Sequence, residues 1–278
     1  MSGQSSSCSG NCSSCKAAKE SEDCKMRAVL GNIKHKIVVM SGKGGVGKST
    51  VSVNLAMALA LQGKRVGILD VDVHGPSVPK MLKIDRQPEM AGDKLLPVSV
   101  GNLHVMSVGL LLESPDQPVI WRGPAKIGII RQFLSDVQWG ELDYLIVDAP
   151  PGTGDEPLTV CQLLPDADGA IIVTTPQEVA ALDVSKSLTF CKQLDFPVLG
   201  IVENMSGFAC PHCGEITDIF ASGAGESLSE DYGVPLLGKL PVDPAICYGG
   251  DQGTPFIHRF ADTATAKAFG EIVERIMD

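Results

Sequence analysis

The stretch MSGKGGVGKST, residues 40–50, leaves this chain little freedom in what it can fold into. It fits G-x-x-x-x-G-K-[ST], with Gly42 and Gly47 as the framing glycines, Lys48 as the phosphate lysine and Ser49 as the hydroxyl that takes Mg²⁺. Immediately before it runs KIVVM, apolar, β-branched and of strand length. Immediately after it, STVSVNLAMALALQG places Val53, Met57, Ala60 and Leu61 at helical spacing. A glycine loop set between strand and helix can aim successive backbone N–H groups at an anion, and the helix N-terminus adds partial positive charge. Gly42, Gly44, Gly45, Val46, Gly47, Lys48, Ser49 and Thr50 form the expected cradle. A plain glycine turn is the alternative, and the flanking strand and helix count against it.

The rest of the chain repeats the strand–helix alternation. RVGILD (65–70), DYLIVD (143–148), GAIIVTT (169–175), PVLGIVEN (197–204) and PLLGKL (235–240) are near-continuous apolar runs separated by helical patterns. Such strands belong to a parallel sheet buried on both faces. The fold class expected is therefore α/β: a single P-loop NTPase domain over 28–278, its mostly parallel sheet covered by helices on both faces. KLLPVSVGNLHVMSV (94–108) interrupts the alternation and reads as two short strands turning at Val100-Gly101-Asn102. The C-terminal ATAKAFGEIVERIMD puts Phe269, Ile272, Val273 and Ile276 on one face among mixed charges, which suits a helix packed on the sheet better than a membrane-binding one. Residues 1–27, rich in Ser, Gly, Lys and Cys, hold too little apolar surface to offset the entropy of ordering and read as a flexible tail.

Composition narrows the function. With 278 residues the chain can bury a large core, and no segment approaches the ~20 apolar residues of a membrane span. A net charge of −10 opposes general affinity for nucleic acid or anionic lipid. The N-terminus has no apolar secretory segment, and nine cysteines, an odd number, favour thiol or metal chemistry in a reducing compartment over structural disulfides. A cytoplasmic location is expected.

Polar residues gather at the strand ends, where open α/β sheets bind ligands. ILDVDVHGPS sets Asp70 and Asp72 just past a strand. Asp72 faces the γ-phosphate region, where it can position the attacking water or simply cap the following turn. YLIVDAPPGTGD ends a strand on Asp148, placed to hold Mg²⁺ directly or through water, and continues into a stiff glycine-rich loop able to sense the γ-phosphate. FACPHCGE carries Cys210-x-x-Cys213, two thiolates that can grip one metal. One pair is half a site, because zinc or a [4Fe-4S] cluster needs about four protein ligands. Two copies facing across a twofold axis supply the other half. Zinc and a redox dithiol remain open at this pair. In the tail, Cys8, Cys12, Cys15 and Cys24 lie within 17 residues and can enclose a second cluster, the alternatives being zinc or no stable metal. Cys161 and Cys191 fall in helical patterns and read as buried apolar side chains.

The second lysine of the loop, Lys43, has no place in the general P-loop pattern. Together with the switch segments it resembles the deviant Walker A ATPases, the group of nitrogenase iron protein and the septum-site and partition ATPases. That resemblance implies that Lys43 reaches across a dimer to the partner's nucleotide, where otherwise it would be a solvated loop lysine. It also implies that Asn204 contacts adenine and that LPVDP, with Pro241 and Asp243, lines the ring. GKGGVGKS, DVDVHGPS, DAPPGTGD, VENMSG, CPHC and LPVDPAICYGGDQGTP in combination resemble the Mrp/Nbp family of ATP-dependent iron–sulfur cluster carriers over roughly residues 30–278. The resemblance implies an ATPase using ATP and Mg²⁺, with Lys43, Lys48, Asp72 and Asp148 at the reaction centre. It also implies a homodimer bridged by a labile [4Fe-4S] cluster on Cys210 and Cys213. Its partners would be a cluster donor and apo-protein clients, with no nucleic acid and no membrane. The competing expectation is a switch ATPase, a spatial regulator or an electron-transfer type, with structural zinc at the cysteine pair.

Overall fold

The structure is a computed structural model and describes residues 22–112, 114, 121–210, 213, 215–259 and 263–277. Cys8, Cys12 and Cys15 lie outside the described residues. In chain order the elements are α1 (Glu22–Leu30), β1 (Ile33–Ser41), α2 (Lys48–Leu61), β2 (Val66–Asp70), α3 (Val78–Met81), β3 (Glu89–Ala91), β4 (Lys94–Leu96), β5 (Val98–Val100) and β6 (Leu103–Ser107). There follow α4 (Gly123–Ser135), β7 (Leu142–Asp148), α5 (Asp155–Leu163), β8 (Gly169–Thr174), α6 (Glu178–Gln193), β9 (Val198–Ala209) and β10 (Ile216–Thr217). The chain closes with α7 (Ala224–Tyr232), β11 (Leu236–Val242), α8 (Pro244–Gln252), α9 (Phe256–Arg259) and α10 (Ala264–Met277).

The main sheet runs β10-β9-β8-β1-β7-β2-β6-β5, with β11 also on β9. Pairs from β11 through β9, β8, β1, β7 and β2 to β6 are parallel, and only β10 and β5 add antiparallel. All five apolar runs named above are strands of this sheet. The expected hairpin is β5–β6, turning at Gly101 with φ 60°. β6 also pairs in parallel with β2, so the hairpin belongs to the main sheet, while β4 turns back on β3. The sheet is thus mixed at its edges and parallel at its centre.

Because side chains alternate across a strand, the sheet sorts its apolar residues into two cores. Val38, Met40, Leu69, Val147 and Ile172 face one core with Phe133, Trp139, Val184 and Leu188; Ile37, Val39, Ile68, Ile146 and Val173 face the other with Leu55, Phe256, Phe269 and Val273. Met26 and Leu30 of α1 are buried in the first core, so residues 22–27 belong to the packed body and the flexible tail expected over 1–27 overlaps this helix. Cys161 and Cys191 are buried, as expected, and burial pushes their thiols up to about 12 and about 11. Among the described residues no helix is long and apolar enough to cross a membrane.

α10 lies against β11, burying Phe269, Ile272 and Val273. Phe269→Ala should therefore lower unfolding free energy by about 3–5 kcal/mol in urea melts; a loss under about 1 kcal/mol would mean that the helix is not part of the core.

Candidate functional site

Parallel strands deliver their carboxyl ends to one edge, and register decides which side chains meet there. Asp70 of β2 pairs with Asp148 of β7 on one side and with Ser107 of β6 on the other. β1 pairs its Val39 with Asp148, ends at Ser41 beside β8 and feeds the glycine loop. In that loop Gly45 and Gly47 hold φ of 81° and 85°, left-handed conformations that glycine adopts without strain. Gly47 is required a second time, since a Cβ there would sit 2.2 Å from Asn204 Nδ2. The loop ends at Lys48, the first residue of α2, so the orphan N–H groups of a 14-residue helix point into the cradle.

Asp148 is fully buried and accepts three hydrogen bonds. Lys48 Nζ donates to Oδ1 at 2.7 Å, Ser52 Oγ to Oδ1 at 2.7 Å and Ser49 Oγ to Oδ2 at 2.6 Å. The hydroxyl and the carboxylate named for Mg²⁺ are thus in contact, and an oxygen pair of this kind suits a hard divalent cation. Lys48, 6% exposed, is aimed at the same point. Ser52 was missed by sequence reasoning, although its position four residues beyond Lys48 on α2 puts it on the same helical face.

Asp70 is also fully buried. It accepts from Ser107 Oγ at 2.9 Å, Asp72 N at 3.1 Å and Val78 N at 3.4 Å. Burial, and then the Asp148 charge, push its carboxyl up to about 8, against the pull of Lys48, Ser107 and the Asp72 N–H. Asp72 is half-buried, and its Oδ1 accepts a long 3.3 Å bond from Gly75 N. Of the two roles foreseen for it, the one visible in the structure is the cap, since its side chain closes the 72–75 turn.

The residues expected near adenine fall around the same edge. Asn204, 6% exposed, donates from Nδ2 to the Val46 carbonyl at 2.8 Å and so touches the phosphate loop directly. Pro241 lies on β11. Asp243 caps α8 by accepting from Ala245 N at 2.9 Å and ties down α10 by accepting from Thr265 Oγ1 at 2.8 Å, so its side chain is already committed and its backbone is what remains to line a ring. Lys43 is half-buried and makes no ion pair among the described residues; its carbonyl accepts from Ser41 Oγ at 3.0 Å. Gly42 packs against the backbone of Asp183 on α6, where a Cβ would approach to 2.4 Å.

The cysteine pair lies further along the same edge, past the end of β9. Cys210 is half-buried, its N–H donating to the Glu215 carbonyl at 2.9 Å, and Cys213 is exposed. Among the described residues no three His, Cys, Asp or Glu side chains converge as a metal site. Cys24, grouped with the tail cysteines, is buried on α1.

A glycine cradle on a helix N-terminus, a buried lysine and a serine–aspartate pair make this a P-loop ATPase. The family described as ParA, NUBPL iron-transfer P-loop NTPase, matches residues 32–277. The iron–sulfur cluster carrier protein of Methanocaldococcus jannaschii is 51% identical over 98% of this chain and 97% of its own. The cytosolic Fe-S cluster assembly factor NUBP2 of Gallus gallus is 50% identical over 91% and 95%. Among solved structures, the nucleotide-binding protein of Archaeoglobus fulgidus in complex with ADP superposes with a TM-score of 0.74 at 41% identity, covering 88% of this chain and 98% of that one. The septum site-determining protein MinD of Pyrococcus horikoshii, at 23% identity and a TM-score of 0.64 over 87% and 96%, shares the fold. The chain belongs to the Mrp/Nbp family of P-loop ATPases, the family of the iron–sulfur cluster carrier proteins.

The Asp70 shift has a definite sign. Its ordinary value is 3.8, so between about pH 4 and pH 8 the unfolded chain has lost this proton while the folded chain keeps it, and folding stability falls as pH rises through that window. In Mg²⁺-free buffer, Asp70→Asn should therefore gain on the wild type in urea midpoint between pH 5 and pH 8; a constant difference across that range would contradict the shift.

Proposed function

We propose that this protein is an ATP-dependent iron–sulfur cluster carrier that holds a labile [4Fe-4S] cluster between the Cys210 and Cys213 pairs of two copies and passes it to apo-proteins. The observation that carries the reading is the placement of the pair. Two thiols, one half-buried and one exposed, sit beyond a strand that also touches the phosphate loop. A twofold axis through such a pair completes four sulfurs. Transfer is then ligand exchange, thiolate for thiolate at each iron, with no net oxidation, and accessible ligands favour it. A tail cluster would draw on Cys8, Cys12 and Cys15, with Cys24 joining only by leaving its packed position on α1.

In the ATPase cycle, Lys48 and the cradle N–H groups bind the β- and γ-phosphates, and Asp72 orients the attacking water. Ser49 and Asp148 would hold Mg²⁺, which supplies charge neutralisation on the phosphate oxygens. Asn204 and the backbone around Pro241 and Asp243 take the adenine. Lys43 serves in trans: an ammonium with no ion pair among the described residues can stabilise charge developing on the partner's transferred phosphoryl group, as an arginine finger does.

Iron, acid-labile sulfide and zinc measured on anaerobically purified protein test the carrier reading. The Cys210→Ala/Cys213→Ala variant should lose about two irons per chain, half of a bridging [4Fe-4S] cluster; zinc at about one half per chain in the wild type, lost in the variant, would leave a switch ATPase with a structural clasp. Lys43→Ala should retain ATP binding while its turnover falls at least ~10-fold. Unaltered turnover would remove Lys43 from the reaction.

A further inference from the structure

Two loops leave the Asp70–Asp148 pair, and a third element holds both of them. Lys126, on the first turns of α4, places Nζ 2.6 Å from His74 Nε2 and 2.6 Å from Glu156 Oε1. His74 lies two residues beyond Asp72, inside the turn closed by Gly75 N on the Asp72 carbonyl and carboxylate. Glu156 is the second residue of α5, at the far end of the loop that begins at Asp148. That loop is also tied to the phosphate loop, since Gly152 N donates to the Ser41 carbonyl at 2.7 Å. Because an ammonium only donates, His74 must present an unprotonated Nε2 and carry its proton on Nδ1. The side chains of Lys126 and Glu156 are 13% and 21% exposed, well shielded for a lysine–glutamate contact, and the pair holds Glu156 below the usual carboxylate range.

We propose that Lys126 is a positioning residue for ATP hydrolysis: by bridging His74 and Glu156 it fixes the Asp72 turn and the 149–156 loop relative to each other and so sets the attacking water against the γ-phosphate. The proposal rests on the reading of Asp72 as the water-positioning residue. Strands set where Asp70 and Asp148 stand, but the segments beyond them follow no strand register, and the Lys126 brace joins them across the γ-phosphate side. Phosphoryl transfer depends steeply on such placement, and a misplacement of about 1 Å can cost on the order of 100-fold in rate.

The test measures kcat, KM for ATP and Kd for ADP in the full chain. Lys126→Met should lower kcat at least ~10-fold while KM and the ADP Kd stay within about twofold. Lys126→Arg should recover part of that loss. Adding Glu156→Gln to Lys126→Met should cost nothing further, because one brace is already gone. Arg131→Met, which removes an exposed ion pair to Asp23 from the same helix, should leave kcat unchanged. If Lys126→Met does not fold, Glu156→Gln alone carries the expectation of a kcat loss at constant ADP affinity. Unchanged or raised kcat, or a fall in kcat matched by lost ADP affinity and a lower urea midpoint, would overturn the proposal. Asp72→Asn separates the two readings: full turnover in that variant refutes the water-positioning role of Asp72 whatever Lys126→Met does.

Discussion

The carboxylate of Asp148 is the point on which this structure turns. Burying an ionised carboxylate costs several kcal/mol unless it is paired and its lone pairs are filled. Here Lys48, Ser49 and Ser52 fill them, all from the first turns of α2. The same contacts dock the helix on β7 and gather the lysine, the hydroxyl and the carboxylate that phosphoryl transfer needs. Next to this satisfied group stands one that is not content as an anion. Asp70 is forced by the β2–β7 register to share the site, and burial beside a like charge pushes its carboxyl up to about 8. Two carboxylates held together at a sheet edge under a helix N-terminus form a site that gains by taking up positive charge.

What the sequence made legible here follows from chemistry that is local in the chain. A phosphate loop is readable because its glycines, lysine and serine occupy eight consecutive positions, and parallel strands are readable because burial on both faces makes them continuously apolar. The hairpin at Gly101 and the packed C-terminal helix were legible for the same reason. Contacts that depend on register or on distant elements were not. Ser107 meets Asp70 only because β6 pairs with β2, and Lys126 reaches His74 and Glu156 from residues 52 and 30 positions away in sequence. α1 escaped notice because a short helix that buries Met26, Leu30 and a cysteine, with Val29 partly buried beside them, gives almost no periodic signal. Asp243 looked available for a ligand because nothing in its neighbourhood announces that Thr265, 22 residues on, occupies its second oxygen.

A single strand, β9, carries the phosphate-loop contact of Asn204 and, just past its end, the cysteine pair. β9 is longer than its apolar run, and consecutive residues near its end face different duties. Asn204 donates to the Val46 carbonyl in the phosphate loop. Glu203, fully buried, accepts from Ser206 Oγ at 2.6 Å and from Gly225 N at 2.7 Å, and so clamps the start of α7. The segment carrying Cys210 and Cys213 is thereby closed at its base, one end on β9 and the other on α7. Met205, between these anchors and the cysteines, holds φ 59°, a left-handed conformation costly for a non-glycine residue and kept only where its surroundings demand it. A ligand that draws Asn204 away from Val46 therefore acts on the strand that carries the cysteines, six residues from Cys210. Six residues of chain separate Asn204 from Cys210, so coupling them requires no long relay through the core.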